Sequence, residues 1–214
     1  MGKLILSPSQ VKDWKTCRLK WAFRIEGVPL DTPNPHLQRG FEVHKRIEEG
    51  MSEELREFYR RVRPEPEVLE REMLVEAPLS YRKGTWVIVR GRIDALARLE
   101  GQLVVVDYKT GQRRPKRLRY QLIYPLLVYR TLGQKPVEMV VEYLDDYSRY
   151  RTDPWPEMRS LVREYEETAQ EIKEQMAKKV FPPQPGFHCR FCGYRQRCLE
   201  IYPPEDPTDP RIRV

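Results

Sequence analysis

Two short stretches of this chain carry side chains suited to holding a cation against a phosphate. They are Gly91-Arg92-Ile93-Asp94 and Val104-Val105-Val106-Asp107-Tyr108-Lys109-Thr110-Gly111. The β-branched run reads as a buried strand. Side chains alternate along a strand, so Asp107 and Lys109 share a face. Upstream, residues 85–89 and 92–99 read as extended, and Glu100-Gly101 as a tight turn. A two-residue loop pairs Leu99 with Gln102, and the same ladder sets Asp94 opposite Asp107, with Cβ atoms roughly 4.5–5.5 Å apart. Carboxylates that close repel unless a cation sits between them. A three-residue loop would shift the register by one and send the two acids to opposite faces. Asp107-Tyr108-Lys109 alone is an ordinary surface ion pair; with Asp94 it becomes a metal-site reading.

Two further sets of side chains have ligand chemistry. Leu37, Phe41, His44, Ile47 and Met51 recur at helical spacing, with His44 in the middle of one apolar stripe. A lone histidine on such a stripe is more often a satisfied core residue than a ligand. Four cysteines occur, Cys17 and then Cys189, Cys192 and Cys198. Three thiols within ten residues suggest metal ligation, because disulfides are rare in the cytosol. Spacing alone leaves zinc and an iron–sulfur cluster both open.

These groups need elements to hold them. Ser7-Pro8-Ser9-Gln10 reads as a helix start, with Val11, Trp14, Arg18 and Trp21 following at helical spacing. Helices are expected over about 37–51 and 52–62, and strands fill roughly 68–108. A helix over 118–132 must kink or split at Pro125. Residues 137–144 are extended, and a long helix opens at Pro156 with Met158, Leu161, Tyr165, Ala169, Ile172 and Met176 on one side. The order implies an α/β or α+β domain. One domain is expected over 1–202: a helical lobe (7–62), a sheet core (68–150), and a long helix with a cysteine knot (156–202). A proline-rich, loosely ordered tail is expected over 203–214.

The 214 residues suffice for one substantial core. Lys and Arg outnumber Asp and Glu by 39 to 32, a net charge of +7 that suits a polyanionic partner. No apolar stretch approaches the roughly 20 residues needed to cross a bilayer, and the N-terminal apolar segment is too short for a signal peptide. A soluble, cytoplasmic protein without membrane association is expected. Arg113, Arg114, Lys116, Arg117 and Arg119 follow the acid-bearing strand and are candidates for phosphate contact, as are Arg190, Arg195 and Arg197 around the knot.

Taken together, Gly91-Arg92-Ile93-Asp94 and Val106-Asp107-Tyr108-Lys109-Thr110-Gly111 resemble the core of the PD-(D/E)xK nucleases, in particular their RecB-like branch. That branch includes RecB-family exonucleases, AddB-type helicase–nuclease subunits and small CRISPR-associated nucleases of spacer acquisition. The resemblance runs from Ser7 to Cys198. It implies a restriction-endonuclease-like core, a mixed central sheet flanked by helices, with the N-terminal helical segment tied to a C-terminal iron–sulfur knot.

It also implies roles for individual residues. Gly40-Phe41-Glu42-Val43-His44 resembles the family's metal-binding histidine motif. His44, Asp94, Asp107 and the Tyr108 carbonyl would hold Mg²⁺ or Mn²⁺, and Lys109 would orient water or offset charge on the phosphate. Tyr120-Gln121-Leu122-Ile123-Tyr124 resembles the family's Gln-x-x-x-Tyr signature with one residue fewer, making Gln121 and Tyr124 candidate catalytic residues. Cys17, Cys189, Cys192 and Cys198 would hold a 4Fe–4S cluster of structural role. The implied activity is metal-dependent hydrolysis of DNA, preferring single strands or ends, as an exonuclease of repair or recombination working with helicase partners. The alternatives are a CRISPR adaptation nuclease in an integrase complex and a non-catalytic iron–sulfur protein that binds nucleic acid.

Overall fold

The computed structural model describes residues 2–31, 35–50, 52–82, 85–111, 115–206 and 208–212, with backbone alone at 35–37, 81–82 and 115–117. Six strands occur: β1 (Gly2–Leu6), β2 (Glu67–Arg82), β3 (Thr85–Leu99), β4 (Gln102–Lys109), β5 (Glu138–Tyr143) and β6 (Ser148–Thr152). The helices are α1 (Pro8–Thr16), α2 (Arg18–Ile25), α3 (Pro35–Glu48), α4 (Glu53–Arg61), α5 (Tyr124–Leu132), α6 (Trp155–Lys178) and α7 (Arg195–Ile201). Two 3-10 helices span Pro115–Ile123 and Phe187–Phe191. The chain forms two compact units, Met1–Pro8 with His36–Glu166, and Ser9–Pro35 with Glu167–Val214.

The first unit is built on a mixed sheet in the order β1-β3-β4-β5-β6, with β2 also on β3. The β3–β4 hairpin closes through Glu100 (φ 54°) and Gly101 (φ 78°), with Leu99 paired to Gln102. Positive φ at both loop residues is the primed turn whose twist matches paired strands, and Gly101 takes it without steric cost. The two-residue loop expected from the sequence is present, with its register running to Ala95↔Val106; the ladder stops one pair short of Asp94 and Asp107, because β4 turns away to β5.

β3 is long enough to serve three neighbours. β2 runs antiparallel along nearly its whole length. On the opposite edge, β1 pairs parallel to residues 85–89 and β4 pairs antiparallel to 95–99. Among the described residues, positions 90–94 of that edge lack a strand beside them. Gly91 and Asp94 lie in this gap.

β4 leaves β3 after Val106 and continues parallel to β5, from Val104↔Glu138 to Lys109↔Tyr143. Its residues Val104 to Tyr108 are buried in succession, as a central strand requires. Each fully buried aliphatic side chain contributes about 1.5–3 kcal/mol relative to exposure. Burial of this run outweighs the cost of ending it in ionisable groups. On one face Val43 and Ile47 of α3 and Phe58 and Tyr59 of α4 pack on Ala95, Val106 and Tyr108. On the other, Leu118 packs with Met139, Val141 and Tyr143, and with the partly buried Tyr124. The expected mixed sheet flanked by helices is the architecture found.

Several local expectations need correction. β1 and β6 escaped the sequence reading because five-residue strands carry too little pattern. Phe41, placed on a buried stripe, is 76% exposed; Val43 and Ile47 are the buried residues of α3. The helix expected to kink or split at Pro125 is split there: a 3-10 helix passes into α5 at Tyr124, with Pro125 in its first turn. Met176 lies exposed at the end of the α6 stripe.

In the second unit, helical periodicity around Trp14 and Trp21 belongs to two helices. Cys17 separates them in an extended conformation (φ −163°). The two indoles meet edge to face at 5.1 Å, and Trp14 Nε1 donates to Glu171 at 2.8 Å. The tail, expected to be loose, folds against the knot. Arg211 is buried, pairs with Asp209 at 2.5 Å and donates to the Tyr202 carbonyl at 2.8 Å.

Candidate active site and cysteine cavity

The gap on β3 and the departure of β4 make a fork, and the acids sit in its crotch. Asp94 Oδ2 accepts the Tyr108 backbone N–H at 2.7 Å, taking the place of a ladder carbonyl. Asp94 Oδ1 faces His44 Nδ1 at 3.5 Å. Lys109 Nζ stands 2.5 Å from Asp107 Oδ2 and 3.4 Å from the Tyr108 carbonyl oxygen. The Lys109 ammonium is the charged partner of the buried Asp107 Oδ2. His44, Asp94, Asp107, Tyr108 and Lys109 thus converge, all within the first unit.

Charge in the fork is strongly coupled. Burial drives the Asp107 carboxyl above its usual range, and the nearby Asp94 adds to this against the pull of Lys109. Burial also works to raise Asp94, but His44, Lys109 and the Tyr108 N–H hold it below its usual value. The hydrogen bond to Asp94 raises His44 despite burial. Burial pulls the Lys109 amine down, yet Asp107 and Asp94 leave it above its ordinary value. Lys109 is therefore a cation here, suited to charge neutralisation and not to taking a proton.

α3 reaches the fork because Gly40 and Arg39 let it. A Cβ at Gly40 would lie 3.3 Å from Thr110 Oγ1, a tight contact that the glycine avoids where α3 passes the end of β4. Arg39 forks onto Asp145 with two bonds of 2.7 Å, and Asp145 also accepts the Gly111 N–H at 2.7 Å. The helix carrying His44 and the segment following Lys109 are joined through one carboxylate.

Gly91 has an equally specific function. A Cβ there would meet Tyr124 Cε1 at 2.6 Å and its hydroxyl at 2.9 Å. The phenol ring thus lies directly on β3 in the gap, close enough to Asp107 and Asp94 that, after burial, their charges raise its pKa. Side chains three apart eclipse in a 3-10 helix. Gln121 therefore shares a face with Tyr124 despite the shortened spacing, and its Oε1 is buried without a partner among the described residues.

One acid near the fork was missed. Glu72 of β2 has a ligand oxygen within 4.8 Å of donor atoms of both His44 and Asp94. Nothing in its local sequence marks it, since its position depends on pairing with β3.

The basic residues divide. Arg113 and Arg114 lie outside the described residues, as do the side chains of Lys116 and Arg117. Arg119 is not a free phosphate contact: it pairs with Glu164 at 2.8 Å and Glu157 at 3.0 Å. Arg195 donates to the carbonyls of Arg211 and Ile212, at 2.6 and 2.9 Å. Arg197 lies 3.9 Å from Asp31, and Arg190 stacks 5.3 Å over Phe187.

In the second unit, Cys17, Cys189, Cys192 and Cys198 all line one small cavity. Burial raises the thiols of Cys189, Cys192 and Cys198. The Gly186 N–H points to Cys189 Sγ at 3.4 Å, and Arg211 to Cys198 Sγ at 3.7 Å. Both contacts favour thiolate over thiol. Among the described residues, no three of these sulfurs lie within 4.8 Å of one another.

A family profile described as the PD-(D/E)XK nuclease superfamily matches residues 42–199. The chain belongs to that superfamily. Its members are typically metal-dependent nucleases, and the His44–Glu72–Asp94 donor group agrees with a metal centre. Among solved structures, the crystal structure of SSO0001 is similar in fold. It has a TM-score of 0.56 and 16% identity, covering 92% of this chain and 86% of that one. No curated protein matches the sequence. No helix among the described residues of this superfamily member is long and apolar enough to cross a membrane.

Proposed function

We propose that this superfamily member is a RecB-like, Mg²⁺- or Mn²⁺-dependent deoxyribonuclease that acts on single strands or DNA ends. The reading rests on one observation: at the β3–β4 fork Asp94 meets His44 and Asp107 meets Lys109, with the two acids near enough for their charges to act on each other. Asp94, Asp107, His44 and the Tyr108 carbonyl are the groups that would hold the cation. Bound there, a divalent ion would supply Lewis-acid polarisation of the phosphate and a more acidic water. Lys109, already cationic, neutralises charge gathering on the phosphoryl oxygens and orients the attacking water. Tyr124 and Gln121, side by side on the rim, position the nucleic-acid strand. Lys116, Arg117, Arg113 and Arg114 supply phosphate contacts on the entering strand.

The cysteine cavity fits a 4Fe–4S cluster on Cys17, Cys189, Cys192 and Cys198. The resemblance to RecB-like nucleases, and not the spacing of the cysteines, favours the cluster over zinc. Thiolate-directed contacts from Gly186 and Arg211 support the same reading. The cluster joins the α1–α2 junction to the knot and is structural. A cytoplasmic setting follows from reduced cysteines used as ligands.

Cleavage of end-labelled single- and double-stranded oligonucleotides with Mn²⁺, comparing wild type with Asp107→Ala, tests the enzymatic reading. The wild type is expected to cut and the variant to lose activity; equal cleavage by both sinks the site. Affinity capture separates a free-standing exonuclease from a subunit of a helicase or CRISPR integrase assembly.

A further inference from the structure

Glu72 sits where a strand should be regular and is not. Arg71 pairs with Ala95 and Met73 with Ile93, which places Glu72 opposite Asp94 in the β2–β3 ladder. Its φ of 50° nevertheless takes it into the left-handed region, which glycine accepts and glutamate resists. The strand keeps a glutamate there, next to another carboxylate. Arg92 lies 3.9 Å away, on a side chain 57% exposed, and offsets that repulsion only weakly.

The three donors gathered around this kink are an imidazole nitrogen and two carboxylate oxygens, within 4.8 Å of one another. His44 Nδ1 stands 3.5 Å from Asp94 Oδ1, at the long limit of hydrogen bonding, while Asp94 Oδ2 accepts the Tyr108 N–H. Asp107 Oδ2 is taken by the Lys109 ammonium at 2.5 Å, so Glu72 is the further carboxylate gathered with His44 and Asp94.

We infer that Glu72 is a metal ligand that would share with His44 and Asp94 the cation of the site proposed above. The inference rests on the metal-dependent reading above and extends its ligand set. One nitrogen among carboxylate oxygens favours Mn²⁺ over Mg²⁺ or Ca²⁺ at the Glu72 position.

The test is Mn²⁺ binding to the full chain, followed by calorimetry and by loss of the free Mn²⁺ resonance. Wild type, Glu72→Gln, Glu72→Gly and the exposed control Glu70→Gln are compared, with folding checked by circular dichroism. Wild type and Glu70→Gln are expected to bind Mn²⁺ alike. Both Glu72 variants should bind it at least tenfold more weakly; the glycine variant keeps the backbone conformation accessible. Unchanged stoichiometry and affinity in the two Glu72 variants overturn the inference. Cleavage is assayed separately. Weakened Mn²⁺ binding without cleavage by wild type would retain Glu72 as a ligand and remove the nuclease reading. Cleavage with wild-type-like binding in the Glu72 variants would do the reverse.

Discussion

Asp94 Oδ2 accepts the backbone N–H of Tyr108 at 2.7 Å, at the point where β4 parts from β3. The carboxylate thus closes the sheet with one oxygen and faces His44 with the other. A backbone donor next to the core has no other partner at this position if the carboxylate is removed.

Asp94 variants should therefore separate the two roles. Asp94→Asn keeps an acceptor for the Tyr108 N–H and is expected to melt near the wild type while losing Mn²⁺ binding and cleavage. Asp94→Ala loses both and leaves a buried donor unsatisfied, at a further cost of about 1–3 kcal/mol. Thermal denaturation beside Mn²⁺ titration checks this; equal melting of the two variants would show that the N–H contact contributes nothing.

Gly91→Ala drives a methyl group into the Tyr124 ring, whose nearest atom would lie 2.6 Å away. Overpacking of this kind costs about 1–3 kcal/mol. The ring must swing out of the gap, and a displacement near 1 Å at a reacting centre lowers rates roughly a hundredfold. Cleavage kinetics of Gly91→Ala at a temperature where it remains folded should show the loss mainly in kcat. An unchanged kcat would remove Tyr124 from the site.

Cation binding should depend on pH in a defined sense. The Asp94 hydrogen bond holds a proton on His44 above its usual value, and burial does the same for Asp107. Both must be unprotonated to bind a metal, so affinity falls as pH drops through these raised values, and binding releases protons. Mn²⁺ titrations between about pH 5 and 8, in buffers of different ionisation enthalpy, should show both effects. Constant affinity with no proton release would contradict the assignment.

The cysteine cavity makes a spectroscopic demand. Anaerobically purified protein is expected to absorb broadly in the visible and to contain iron. Cys17→Ser and Cys198→Ser should each bleach it and increase proteolysis within Ser9–Pro35 and Glu167–Val214. A colourless protein carrying zinc would replace the cluster with a different metal.

What the sequence determined alone was local. Glu100-Gly101 dictates a two-residue turn, and from it follows the β3–β4 register from Leu99↔Gln102 to Ala95↔Val106. Ser52 ahead of Glu53 marks a helix start and caps the Leu55 N–H at 3.3 Å. The apolar spacing of α6 likewise follows from periodicity. These are contacts within one turn or hairpin, where dihedral preference and spacing suffice.

Tertiary structure decided the rest. Glu72 enters the site through strand pairing with a residue 22 positions away, which no local pattern records. The gap beside Gly91 exists because two strands share one edge of β3, and Tyr124 fills it from a separate element. Phe41 is exposed because α3 turns Val43 and Ile47 to the sheet, and Arg119 is occupied because Glu157 and Glu164 lie beside it. A hydrophobic or charged pattern states what a segment can bury or bind, but its neighbours determine which of those options is taken.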